Sequence, residues 1–149
     1  LDDNFNQQLK QNDLERAFDF IYEALIKHRN VIVHCRQGIS RSPAIVIAYL
    51  IARKHMSFQT AYTNVKKARS MIKPNIGFLL QLNELEFKLA KKRTFDLCDF
   101  VAKNMTPLFH QKSTIEQRKL LVQHLIFNYE KQQNKNDLAP LLKTLYKAP

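Results

Sequence analysis

Apolar residues recur at helical spacing along most of the chain, and one short stretch breaks that rhythm. Leu14, Phe18, Ile21, Tyr22 and Leu25 fall on one face of a predicted helix over residues 13–29, with Asn12 or Asp13 placed to cap its start. Val31-Ile32-Val33 follows as a continuous β-branched run, which predicts a strand buried on both faces. Residues 43–54 leave almost no polar face, so this second helix is expected at the centre, with Pro43 suited to its first position. Ser57 then reads as the cap of a third helix, with Phe58, Ala61, Tyr62 and Val65 inward and Lys66, Lys67 and Arg69 on the other side. Pro74-Asn75 interrupts the pattern before a fourth helix over residues 77–91, whose stripe is Phe78, Leu82, Leu85 and Leu89.

Past Lys92 the character changes. Helices are expected near 95–104, 114–131 and 137–147, with Ser113 and Glu116 at capping-box spacing and Gln132 to Asp137 as a polar connection. The pattern divides the chain into residues 1–92 and a helical extension over 93–149. The fold class it implies is α/β but helix-dominated, with one strand among helices.

The gap between the strand and the central helix holds His34-Cys35-Arg36-Gln37-Gly38-Ile39-Ser40-Arg41-Ser42. A loop between a strand and a helix turns successive backbone N–H groups toward one point, and the helix dipole adds to their field. The chain has two glycines, and Gly38 stands in mid-loop, where a backbone need explains it best. Cys35 opens the loop, where N–H dipoles and the Arg41 cation favour a thiolate, the nucleophilic form of cysteine. The Arg41 fork suits two phosphate oxygens, and Ser42 is placed to hydrogen-bond toward the sulfur. The backbone of Arg36, Gln37, Gly38, Ile39, Ser40 and Arg41 would then hold a phosphate over the thiolate. His34 reads as a structural histidine bonding around the loop; no other ligand stands at metal spacing from it.

These residues and their flanks resemble the dual-specificity branch of the cysteine-dependent protein phosphatases. The flanks that carry the likeness are Val31-Ile32-Val33, Ala48-Tyr49-Leu50-Ile51, Pro74-Asn75-Ile76-Gly77-Phe78 and Gln81-Leu82. The resemblance implies hydrolysis without metal or cofactor through a phosphocysteine. Cys35 matches the nucleophile, Arg41 the phosphate-binding arginine, Ser42 the hydroxyl that assists the leaving thiolate, and Asn75 a residue that buttresses the loop. It also implies an upstream aspartic acid that protonates the leaving oxygen. Asp3, 32 residues before Cys35 and followed by Leu9 where the family places a leucine, fits best, and Asp2 fits with a shift of one. The family's usual strands before this acid have no counterpart. With Leu as first residue, the chain therefore reads as an N-terminally truncated catalytic domain.

Composition narrows the setting. The net charge of +11 is spread, +7 over residues 1–92 and +4 over 93–149, and favours anionic partners. No basic run with interleaved aromatics marks a specific nucleic-acid reader, and no stretch is apolar enough for a membrane span. Two cysteines make a poor disulfide framework, so a reducing compartment is expected: the cytoplasm, with the nucleus as the alternative. The expected substrate is protein carrying phosphotyrosine, phosphoserine or phosphothreonine. Alternatives are a phosphoprotein-binding scaffold with little turnover, and RNA 5′-phosphates or phosphoinositides. The uncharged Gln37, Ile39 and Ser40 argue against those polyanions.

Overall fold

The structure, a computed structural model, describes residues 7–105 and 113–131. The expected helix at 137–147, the connection Gln132 to Asp137, and Asp2 and Asp3 lie outside the described residues. The chain divides into two compact units between Phe95 and Asp96.

The first unit contains α1 (Gln11–Ile26), α2 (Arg41–Lys54), α3 (Phe58–Ala68) and α4 (Ile76–Ala90). α2 is central, packing against α1, α3 and α4. Ala44, Ile47, Ala48 and Ile51 are buried along it. α4 supplies Phe78, Leu79 and Leu82, all fully buried. Phe18 of α1 meets Tyr49 edge-on, with centroids 5.8 Å apart. Phe58 stacks on Phe95 at 4.3 Å, and Tyr62 meets Phe95 edge-on at 5.1 Å. Such aromatic pairs contribute roughly 0.5–1.5 kcal/mol beyond their burial.

A buried carboxylate ties this layer together. Glu86, 1% exposed, accepts hydrogen bonds from the Phe58 N–H (2.9 Å), the Thr94 N–H (2.8 Å) and the Thr94 hydroxyl (2.7 Å). It thereby satisfies an otherwise orphaned donor in the first turn of α3 and fixes the chain leaving α4.

Four sequence expectations need correction here. Residues 31–33 form no strand, and no strand occurs among the described residues. Ile32 is 85% exposed rather than buried on both faces: a strand needs a neighbour for its backbone groups, and no strand stands beside it among the described residues. Tyr22 and Leu25 of α1 and Leu89 of α4 are exposed, so the buried stripes are narrower than the periodicity suggests. α1 begins after Lys10, which gives no side-chain cap, and Asp13 sits in the first turn instead, facing the positive end of the helix dipole. Pro43 is the third residue of α2, still within the first turn, where its missing N–H leaves no gap in the ladder.

The second unit holds α5 (Leu97–Asn104) and α6 (Ile115–Lys131). Asp96 caps α5 by accepting from the Asp99 N–H at 2.8 Å. Asp99 pairs with Lys103 and Lys119, and these two cations hold its carboxyl below the usual range. The capping box of α6 is Thr114 with Gln117, one residue beyond the expected pair: each accepts from the other's backbone N–H, at 3.2 and 2.8 Å. The Ser113 hydroxyl instead accepts from Arg118 Nε at 3.0 Å. Cys98 is half-buried, and burial pushes its thiol up. Among the described residues no helix is long and apolar enough to cross a membrane.

Candidate active site

The site is the turn from the irregular segment 31–35 into α2. Cys35 ends that segment, residues 36–40 bend, and Arg41 starts the helix. Ser40 is the N-cap residue, and its carbonyl accepts the first helical bond from Ala44 at 3.1 Å. Gly38 has φ +68°, a left-handed conformation that a side chain would strain. That bend turns the Gly38 N–H back onto Cys35 Sγ at 3.2 Å.

The sulfur has a second close partner. Ser42 Oγ lies 3.3 Å from Cys35 Sγ, and the hydroxyl donates when the sulfur is a thiolate. Partial burial alone would raise the Cys35 pKa. The Ser42 hydroxyl and the backbone N–H groups of Ser42, Gly38 and Gln37 outweigh it and bring the pKa down to about 6. The sequence reading credited the loop N–H dipoles and the Arg41 cation together with this effect. Arg41 is not among the causes, and hydrogen bonding does the lowering.

The other expected site residues fall as follows. Arg36 and Gln37 are exposed at the rim, Gly38, Ile39 and Arg41 are half-buried, and Ser40 and Ser42 are buried. His34 is exposed and makes no hydrogen bond among the described residues. The expected bonding around the loop is therefore not found among the described residues, and the His34 side chain faces solvent instead. Asn75 does reach the loop, through its backbone: its N–H donates to Ser40 Oγ at 3.0 Å, while its side chain caps α4 by accepting from the Phe78 N–H at 3.0 Å.

An open cavity of about 420 Å³ lies beside the sulfur. Cys35, Gly38, Ser42 and Arg69 form its polar side; Val33, Pro43, Val46, Val65 and Ile72 form its apolar side, and Arg41 does not line it.

Sequence reasoning passed over two residues that touch this region. Arg69, read only as part of the basic side of the third helix, donates from Nε to the Gly38 carbonyl (3.0 Å) and from Nη2 to the Gln37 carbonyl (3.2 Å). Gln81, noted only as part of a family-like motif, accepts from the Leu9 N–H at 2.7 Å and donates to the Gln7 carbonyl at 2.9 Å. Nothing local marks either contact, since each joins residues more than 30 positions apart.

With this geometry in view, comparison with known proteins is decisive. Residues 1–88 match the family described as dual specificity phosphatase, catalytic domain. The chain belongs to this family.

Among curated members and relatives it is similar to protein 123R of Invertebrate iridescent virus 6, 41% identical over 86 residues, covering 58% of this chain and 60% of that one. It is 40% identical over 89 residues to human dual specificity protein phosphatase 9, covering 60% of this chain and 23% of that protein. It is 48% identical over 69 residues to dual specificity protein phosphatase MPK-4 of Drosophila melanogaster, covering 46% and 18%. The chain thus spans less than two thirds of the length of these relatives. A crystal structure of a leucine rich repeat and phosphatase domain containing protein from Entamoeba histolytica superimposes with a TM-score of 0.54 at 28% identity, over 62% of this chain and 64% of that one.

Proposed function

We propose that the chain hydrolyses phosphomonoesters on protein, at phosphotyrosine and at phosphoserine or phosphothreonine, through a phosphocysteine and without a metal. The observation that carries this reading is the Cys35 sulfur. It sits at the bottom of a turn of N–H donors, 3.3 Å from a hydroxyl, with a pKa near 6. A sulfur so placed is largely thiolate at neutral pH and lies where an anion would bind.

In the first step the Cys35 thiolate attacks phosphorus, the S–P bond forms and the P–O bond to the substrate breaks. The departing oxygen takes a proton from an aspartic acid, for which Asp3 is the candidate and Asp2 the neighbour. The loop N–H groups and Arg41, the first residue of α2, hold the equatorial oxygens as their charge spreads. In the second step water attacks phosphorus, gives its proton to the same carboxylate, and the S–P bond breaks. Ser42 donates to the sulfur as it leaves as thiolate. The catalytic domain covers residues 1–92 in this reading, with phosphoproteins as partners and an intracellular setting.

The test compares the parent with Cys35→Ser on a small aryl phosphate and on phosphotyrosine and phosphothreonine peptides, in metal chelator, with folding checked by circular dichroism. Turnover by the parent and none by the folded variant supports the reading. A folded, inactive parent overturns it.

A further inference from the structure

One segment, residues 69–75, ties down the loop residue by residue. Arg69 Nη2 donates to the Gln37 carbonyl at 3.2 Å and Nε to the Gly38 carbonyl at 3.0 Å. The Lys73 N–H donates to the Ile39 carbonyl at 2.7 Å, and the Asn75 N–H to Ser40 Oγ at 3.0 Å. The segment is itself braced: Lys66 Nζ donates to the Ile72 carbonyl at 2.8 Å and the Ile72 N–H to the Arg69 carbonyl at 3.3 Å.

The consequence follows from the planarity of the peptide unit. In a trans peptide the carbonyl of one residue and the N–H of the next point in opposite directions. Holding the Gln37 carbonyl on Arg69 therefore aims the Gly38 N–H the other way, and it does meet Cys35 Sγ at 3.2 Å. Holding the Gly38 carbonyl aims the Ile39 N–H away from Arg69, and holding the Ile39 carbonyl does the same for the Ser40 N–H. The close approach needs a residue without a side chain: a Cβ at Gly38 would stand 3.1 Å from both Arg69 Nε and Nη2.

Resting on the phosphatase reading above, we propose that Arg69 is a positioning residue. Its fork grips two successive loop carbonyls on the side opposite their peptide N–H groups, so that those N–H groups face the sulfur and the anion above it. The rigid planar fork is what the task requires, because both donors must stand at fixed spacing. Arg69 is exposed at the end of α3, so its replacement removes no core packing. Among the described residues, the other charged or titratable side chains around the sulfur are His34 and Arg36 at the cavity wall and Arg41 at the start of α2.

The experiment uses Arg69→Ala and Arg69→Lys in the full chain, each checked for folding by circular dichroism. Two quantities are read: the pH midpoint of Cys35 alkylation by iodoacetamide, and the affinity for tungstate as an oxyanion probe. Both variants should raise the alkylation midpoint by about one pH unit and weaken tungstate roughly tenfold, since lysine keeps the charge and lacks the fork. Variants indistinguishable from the parent overturn the proposal. A lysine variant equal to the parent beside a shifted alanine variant also overturns it, in favour of a plain field effect. If the parent neither binds tungstate nor turns over, yet both variants raise the midpoint, the phosphatase reading fails while the positioning role stands.

Discussion

Cys35 Sγ and Ser42 Oγ lie 3.3 Å apart, one at the start of the loop and the other in the first turn of α2. This contact, with the loop N–H groups, makes the thiolate the favoured form in the fold. The alkylation rate of Cys35 is therefore expected to rise with pH around a midpoint near 6. Ser42→Ala should move the midpoint upward. A thiol near 8.5 in the unfolded chain and near 6 in the fold binds more protons when unfolded. Stability from this group is then fully present above about 8.5 and is lost as pH falls through about 6. Melting of the parent and Cys35→Ser across that window checks the sign: the parent's relative stability should decline toward acid.

Gly38→Ala combines two penalties. Alanine at φ +68° is strained by about 1–2 kcal/mol, and its Cβ displaces the Arg69 guanidinium. The second effect costs little stability, since a flexible side chain can move, but it frees the Gln37 and Gly38 carbonyls. Urea unfolding should show a loss of about 1–2 kcal/mol, with a raised Cys35 alkylation midpoint beyond what so small a loss of stability explains. An unchanged midpoint would contradict this account of the loop.

Gln81 anchors the residues that follow the candidate acid, gripping the Leu9 N–H and the Gln7 carbonyl. Gln81→Leu removes both bonds and leaves the sulfur's surroundings intact. A general acid contributes about 10²–10⁴-fold and matters most when the leaving oxygen is strongly basic. The variant should therefore slow alkyl or weakly acidic aryl phosphates roughly tenfold or more, spare esters of acidic phenols, and keep the alkylation profile. Equal slowing of all esters would remove Gln81 from that role.

Glu86 carries structure rather than chemistry. Glu86→Leu strands the Phe58 and Thr94 N–H groups and the Thr94 hydroxyl. A cost of about 3 kcal/mol is expected in urea unfolding, with the alkylation midpoint of the folded fraction unchanged. A loss within about 0.5 kcal/mol would mean that the donors find other partners.

Much of the site was legible because it is contiguous. Cys35, Gly38 and Ser42 stand within one short loop, and the chemistry of each is set by its neighbours in sequence. Ser57 was legible for the same reason, as an N-cap donating nothing beyond its own turn and accepting from Thr60 at 3.2 Å. The Val31–Val33 strand was misread because being a strand depends on a partner, which three β-branched residues cannot specify. The cap of α6 slipped by one because Ser113/Glu116 and Thr114/Gln117 are two equivalent registers of the same signal. Arg69 stayed hidden because its role depends on where two distant carbonyls point.

The central claim is that Cys35 attacks phosphorus. It is tested most directly by quenching the chain in acid during turnover of an aryl phosphate and mapping the adduct by mass spectrometry, with Asp3→Ala and Asp2→Ala as variants. The account predicts one phosphoryl group on the peptide containing Cys35, absent in Cys35→Ser. Turnover by the parent with no phosphoryl group on that peptide under any quench, or an adduct that persists in Cys35→Ser, would contradict it.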